Sequence, residues 1–169
     1  MIQWHTFPKS AKTISLVRDS IKVFETHLIQ IDSATHEGFK SDDVLAVLRK
    51  PLENLGYEVE ANKSAAGKIK VPVLFGLNGK PEKEFDADAF HRSHGVVLEV
   101  EAGRAVSNYQ FLKDLFQACM MQDAEHLVIA VRNTYRGLND FGTVMNFFET
   151  LYASARLQLP LKSITIVGY

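Results

Sequence analysis

The sequence predicts an α/β domain: a mixed β-sheet flanked by α-helices. Three observations carry that expectation. Residues 10–55 place apolar residues at helical spacing, residues 57–101 read as successive strands, and the remainder runs helix, strand, helix, strand. At 169 residues, 46% hydrophobic and 23% charged, the chain fits one domain. Its helical N-terminal part spans residues 1–56 and its sheet-containing core residues 57–169.

Ser10 to Gln30 reads as the first helix, with Ile14, Val17, Ile21, Phe24 and Leu28 on one face. Thr35 to Lys40 is a loop. Ser41-Asp42 then caps a second helix that carries Val44, Leu45, Leu48, Leu52 and Leu55 inward. Pro51 interrupts this pattern and predicts a kink or restart, and Gly56 ends the helix. Tyr57 to Glu60 is a short strand, Asn62 to Lys68 a polar loop, and Ile69 to Phe75 a strand followed by the turn signal Asn78-Gly79.

The stretch Glu84 to Arg104 is the most informative. Phe85, Ala87 and Ala89 alternate with Asp86 and Asp88; after Arg92-Ser93-His94-Gly95, the residues Val96, Leu98 and Val100 alternate with Val97, Glu99 and Glu101. A period of two puts one apolar and one acidic face on each strand of a hairpin. With Ser93 and His94 as the turn, Asp88 faces Glu99 and Asp86 faces Glu101. Like charges directly opposed on a sheet are destabilising, and a divalent cation on oxygen ligands removes the repulsion.

Ser107 and Gln110 form a capping-box pattern that opens a helix to about Met121, with Phe111, Leu112, Leu115, Phe116 and Cys119 inward. The apolar run His126 to Val131 is a buried strand. In the segment that follows, Arg132 and Arg136 flank Tyr135, a composition suited to phosphate contacts. Asp140 caps the last long helix, Pro160 stops it, and Ile164, Ile166 and Tyr169 lie on a final strand.

A net charge of -1 gives no global basic field, so phosphate contacts would be local. Lys68 and Lys70 share a strand face, with Lys80 and Lys83 nearby, and can grip a phosphate backbone. The single Cys119 excludes an internal disulfide and suits a cytoplasmic setting; no stretch is long and apolar enough to span a bilayer. The six histidines lack close ligand spacing, so zinc is not indicated, and no glycine-rich phosphate loop is present.

The order of elements, with Asp88 on one strand of the hairpin and Glu99-Val100-Glu101 on the next, resembles the restriction-endonuclease-like, or PD-(D/E)xK, nuclease superfamily. The resemblance covers residues 57–131 most clearly. It departs at Glu101, where most members have Lys, and is there similar to the ExE variant of BamHI- and BglII-type restriction enzymes. The resemblance implies Mg²⁺ (with Mn²⁺ as substitute) on Asp88, Glu99 and Glu101, hydrolysis of DNA phosphodiesters, and a homodimer. Asp86, Glu53, Arg104 and Lys113 are secondary candidates for the site, and Lys68, Lys70, Arg132 and Arg136 candidates for nucleic-acid contact. Two other readings fit the same residues: an inactive module that binds nucleic acid or protein, and a hydrolase of small phosphate esters.

Overall fold

The computed structural model describes residues 1–169. Its elements in chain order are β1 (Gln3–Phe7), α1 (Ser15–Ile31), α2 (Ser41–Asn54), β2 (Glu58–Val59), β3 (Ile69–Phe75), β4 (Pro81–Ala87), β5 (Ala89–His91), β6 (Val96–Glu101), α3 (Gln110–Met120), β7 (His126–Val131), α4 (Asp140–Ser154) and β8 (Ser163–Gly168). Six strands form one mixed sheet in the order β1-β8-β7-β6-β5-β2, and β3 and β4 pair separately. The α/β architecture read from the sequence is therefore the architecture of the protein.

The strands β6, β7 and β8 run parallel, and all three are buried on both faces but for the last residue of β6. On one face, Val96, Leu98 and Val100 of β6 join α1 and α2 in a core with Phe24, Leu48 and Leu52. On the other, Val97 of β6 joins Ile129, Phe111 and Leu115 beneath α3 and α4. Because alternate residues of a strand share a face, Glu99 and Glu101 project on the α3 side with Val97.

Several expectations are corrected here. Residues 1–56 are not purely helical, because β1 pairs antiparallel with β8 and forms an edge of the main sheet. The first helix begins at Ser15 rather than Ser10. Pro51 neither breaks nor restarts α2; it lies in the last turn of a continuous helix. Ser41 does not cap that helix, since Asp43 accepts the Lys40 N–H at 2.8 Å while the Ser41 hydroxyl accepts from Ala102 N–H at 3.2 Å. The Ser107–Gln110 capping box is absent: Tyr109 occupies the N-cap in a left-handed conformation, and the Ser107 hydroxyl donates to Gly103 O. Phe116, placed inward by its spacing, is 54% exposed, and Asp114 takes an inward position instead. Asn139, not Asp140, caps α4 through the Gly142 N–H at 2.7 Å.

The Asn78-Gly79 turn forms as read, with both residues at positive φ, and it joins β3 to β4. The acidic hairpin is half as long as expected. Its first strand is two elements, because β4 leaves for the small sheet and only β5 pairs with β6. The chain changes sheets at Asp88.

Candidate active site

The antiparallel register of β5 and β6 sets Ala89 opposite Leu98, Phe90 opposite Val97 and His91 opposite Val96. Gly95 closes the turn in the left-handed region, as its lack of a side chain permits. Continuing that register one step places Asp88 opposite Glu99, as the sequence implies. Asp88 is held there from both sides: its carboxylate accepts the Val100 N–H at 2.8 Å, and its carbonyl accepts the Glu60 N–H at 2.8 Å.

Glu99, Glu101 and Asp88 meet Asp114 of α3 on the floor of a cleft of about 510 Å³. The cleft lies beyond the carboxyl end of β6, the place where open α/β sheets commonly bind ligands. Its other charged lining residues are Glu60, Glu84, Asp86, Lys63, Lys68, Lys83 and Lys113. Asp114 and Glu60 were not singled out from the sequence. Asp114 had a readable signal, since it lies three residues after Phe111 and four before Ala118, inside the buried stripe of α3. Glu60, only 5% exposed, follows a two-residue strand and offers no such periodicity.

The carboxyl groups disfavour ionisation together. Burial pushes Asp88 up to about 6, reinforced by Glu60 and Asp114 and opposed by the Val100 N–H and Lys63. Burial also raises Asp114 to about 6, against Glu101 and Lys113, which favour its charge. Glu101 reaches about 8, first through burial, then through the charge of Asp114 and a hydrogen bond to it; Lys113 opposes the rise. Glu99 lies well above the usual carboxylate range for the same reasons, burial foremost and then Asp88 and Asp114. Oδ2 of Asp114 has no N–H or hydroxyl partner. A contact between Glu101 and Asp114 is favourable only when a proton or a cation lies between them.

The lysines differ in how they are committed. Lys63 Nζ bonds Glu60 at 2.8 Å and Asp42 at 2.9 Å. Burial alone would lower its pKa, but these two hydrogen bonds outweigh that and raise it. Lys68 bonds the Asp86 carboxylate, and Lys83 stands 5.4 Å from the Phe85 ring centroid. Lys113 lines the cleft without an ion pair of its own.

The remaining sequence candidates divide. Asp86 lines the cleft but does not face Glu101; it pairs with Lys70 in the β3–β4 register. Lys70 is exposed in a hollow that shares Lys63, Lys68 and Lys83 with the cleft. Arg104 is exposed at an adjoining hollow with Lys63 and Glu101, and makes no ion pair with Glu101. Glu53 lies outside the site, 3.6 Å from Lys50 on the surface of α2. Arg132 is not a phosphate contact: it is 2% exposed and donates to the carbonyls of Glu37 and Phe39. Arg136 is exposed and stacks on Tyr135. No group of three or more His, Cys, Asp or Glu side chains is drawn together as a finished metal cage.

No family model, curated protein or solved structure matches the chain. No helix is long and apolar enough to cross a membrane.

Proposed function

We propose that the protein is a metal-dependent nuclease that hydrolyses DNA phosphodiester bonds, of the PD-(D/E)xK kind with Glu101 in the position of the usual lysine. The observation that carries this reading is the convergence of Asp88, Glu99, Glu101 and Asp114 on the floor of a lysine-rimmed cleft. Four carboxylates with raised pKa values, one holding an unpartnered buried oxygen, form a place where a cation would replace protons. Their oxygen-only chemistry suits Mg²⁺ or Mn²⁺, and Mg²⁺ commonly takes one or two carboxylates and completes its shell with water and phosphate.

Asp88 and Glu99 would hold the ion, with Asp114 and Glu101 beside them. Bound there, it would supply Lewis-acid polarisation and a water of lowered pKa. Glu101 is placed to accept a proton from an attacking water, with a typical general-base contribution of ~10²–10⁴-fold. Lys113, a cleft ammonium without a carboxylate partner, is placed to meet the charge that grows on a phosphate in the transition state. Lys70 and Lys83 extend cationic charge along the β3–β4 ribbon, where a backbone leaving the cleft would run.

A second reading, an inactive nuclease-like module that binds nucleic acid, is favoured by the lack of a finished three-carboxylate cage and by Glu101 itself. Incubation of supercoiled plasmid with wild type and Glu99→Gln, in Mg²⁺, Mn²⁺ or EDTA, separates the two. Ion-dependent nicking abolished by Glu99→Gln supports the nuclease. DNA retention in a gel shift without cleavage in either ion supports the binding module, and neither cleavage nor retention overturns both.

A further inference from the structure

Outside the cleft, the turn between β5 and β6 brings two imidazoles together. His91 Nδ1 and His94 Nδ1 are 3.3 Å apart, and Ser93 Oγ lies 3.5 Å from the first and 3.2 Å from the second. These atoms form a nearly equilateral triangle. Three atoms on one face of a tetrahedron with such edges lie about 2.0 Å from its centre, which is the Zn–N bonding distance.

The ring of His91 is prepared for ligation. Its Nε2 lies 3.2 Å from the Leu55 carbonyl, which can only accept, so Nε2 carries a proton, and Nδ1, turned toward His94, is the nitrogen left for a metal ion. A backbone carbonyl that fixes the tautomer in this way is the usual outer partner of a metal-bound histidine. Gly56 makes the approach possible: a Cβ there would meet His91 Nε2 at 2.8 Å. Tyr57 packs edge-on at 5.2 Å and completes the orientation. His94 is exposed, so the fourth position of the tetrahedron is open to solvent.

Against the expectation drawn from histidine spacing, the geometry points to a two-histidine site for a borderline transition-metal ion, Zn²⁺, Cu²⁺ or Ni²⁺, held by Nδ1 of His91 and of His94. Ser93 or water occupies a third position and solvent the fourth. No carboxylate or thiolate completes the site, and imidazole selects this class over Mg²⁺ or Ca²⁺. The site is separate from the acidic cleft and stands whether or not the protein cleaves DNA. An ion there would tie the end of β5 to the turn that follows it, three residues beyond Asp88.

The test is titration of the full chain with Cu²⁺, followed by calorimetry and electron paramagnetic resonance, for wild type, His94→Ala and His36→Ala. The expected result is one equivalent bound with nitrogen couplings in the spectrum. His94→Ala should weaken that binding by at least about tenfold and remove a coupling, while His36→Ala binds as wild type. Because His94 is exposed, its replacement leaves the fold intact, which the melting temperature of the ion-free protein checks. Unchanged Cu²⁺ affinity in His94→Ala, a spectrum with oxygen ligands alone, or no binding by wild type would overturn the site.

Discussion

The carboxylate of Asp88 accepts the backbone N–H of Val100 at 2.8 Å, next to Glu99 on the strand β6. That bond fixes the acid where the chain passes from the small sheet to the large one. It also makes Asp88 structural as well as chemical. Asp88→Ala leaves the Val100 N–H without an acceptor and should destabilise the protein by about 1–3 kcal/mol. Asp88→Asn keeps an acceptor oxygen and loses the buried charge, so it should fold at least as stably as wild type above pH 6 and, if the cleft is a nuclease site, fail to cleave DNA. Urea unfolding and plasmid cleavage on the two variants check this, and equal stability of both would remove the structural role.

The carboxyl pKa values set how stability changes with pH. Asp88 and Asp114 are raised to about 6 and Glu101 to about 8, whereas the unfolded chain holds them near ~4. Between those limits the folded state binds more protons than the unfolded state. Stability is then fully present below about pH 4 for these groups and is lost as pH rises through the folded values. Metal-free protein should therefore melt at progressively lower temperature from pH 5 to pH 8.5. Glu101→Gln should flatten the upper part of that fall, and Mg²⁺ should oppose it by neutralising the cluster. A melting temperature that rises over this range would contradict the arrangement.

The usual lysine of the resembled superfamily provides a direct test of Glu101. Glu101→Lys would put an ammonium beside Asp114 and Glu99, where burial now raises all three carboxyls and like charge adds to the rise of Glu99 and Glu101. The variant should lose the pH-dependent instability above pH 6. If the cleft is a nuclease site, it should also cut at lower Mg²⁺ than wild type. Scanning calorimetry and the Mg²⁺ dependence of plasmid nicking measure the two effects independently.

Lys63 and Lys113 should separate stability from chemistry. Lys63 neutralises Glu60, whose side chain is almost fully enclosed, so Lys63→Ala leaves a buried charge unpaired and should cost about 1–3 kcal/mol. Lys113 makes no ion pair and acts on Glu101 and Asp114 only through its charge, so Lys113→Ala should lower the melting temperature far less than Lys63→Ala and, if the cleft is a nuclease site, slow DNA cleavage at saturating substrate. Slow cleavage in Lys63→Ala at full stability would reverse the two assignments.

How far the sequence exposes the site depends on what each residue's neighbours do. The pairing of Asp88 with Glu99 was legible because a short turn fixes the register of the strands it joins. The fate of Asp86 was not, because Ala87 and Ala89 continue the apolar alternation through Asp88 and hide the change of sheet. Asp114 was hidden for another reason. Its helix has enough apolar residues to draw a convincing stripe through Phe116, and only the sheet-facing geometry shows that the stripe runs through Phe111, Asp114, Leu115 and Ala118. The strand β1 carries too few alternating residues to announce itself, and it is recognisable through its partner β8. Arg132 follows a buried strand directly, so its charge suggested a surface loop although its side chain turns back inside.

Arg132 supplies the last prediction. Its guanidinium donates to the carbonyls of Glu37 and Phe39 and lies 5.2 Å from the Tyr135 ring, tying the α1–α2 connection to the end of β7. Tyr135 in turn packs over Gly103, two residues after Glu101. Arg132→Ala leaves two backbone carbonyls unsatisfied and opens space among these segments, so it should lower stability by about 2–4 kcal/mol. Arg132→Lys should recover only part of that loss, because a single ammonium cannot reproduce the planar fork. By contrast, Arg136→Ala should leave stability unchanged and weaken DNA binding in a salt-dependent manner if this loop borders the path of the nucleic acid. Chemical denaturation and gel-shift titration at two salt concentrations distinguish the arginines, and a purely DNA-binding defect in Arg132→Ala would return it to the surface role its sequence context suggested.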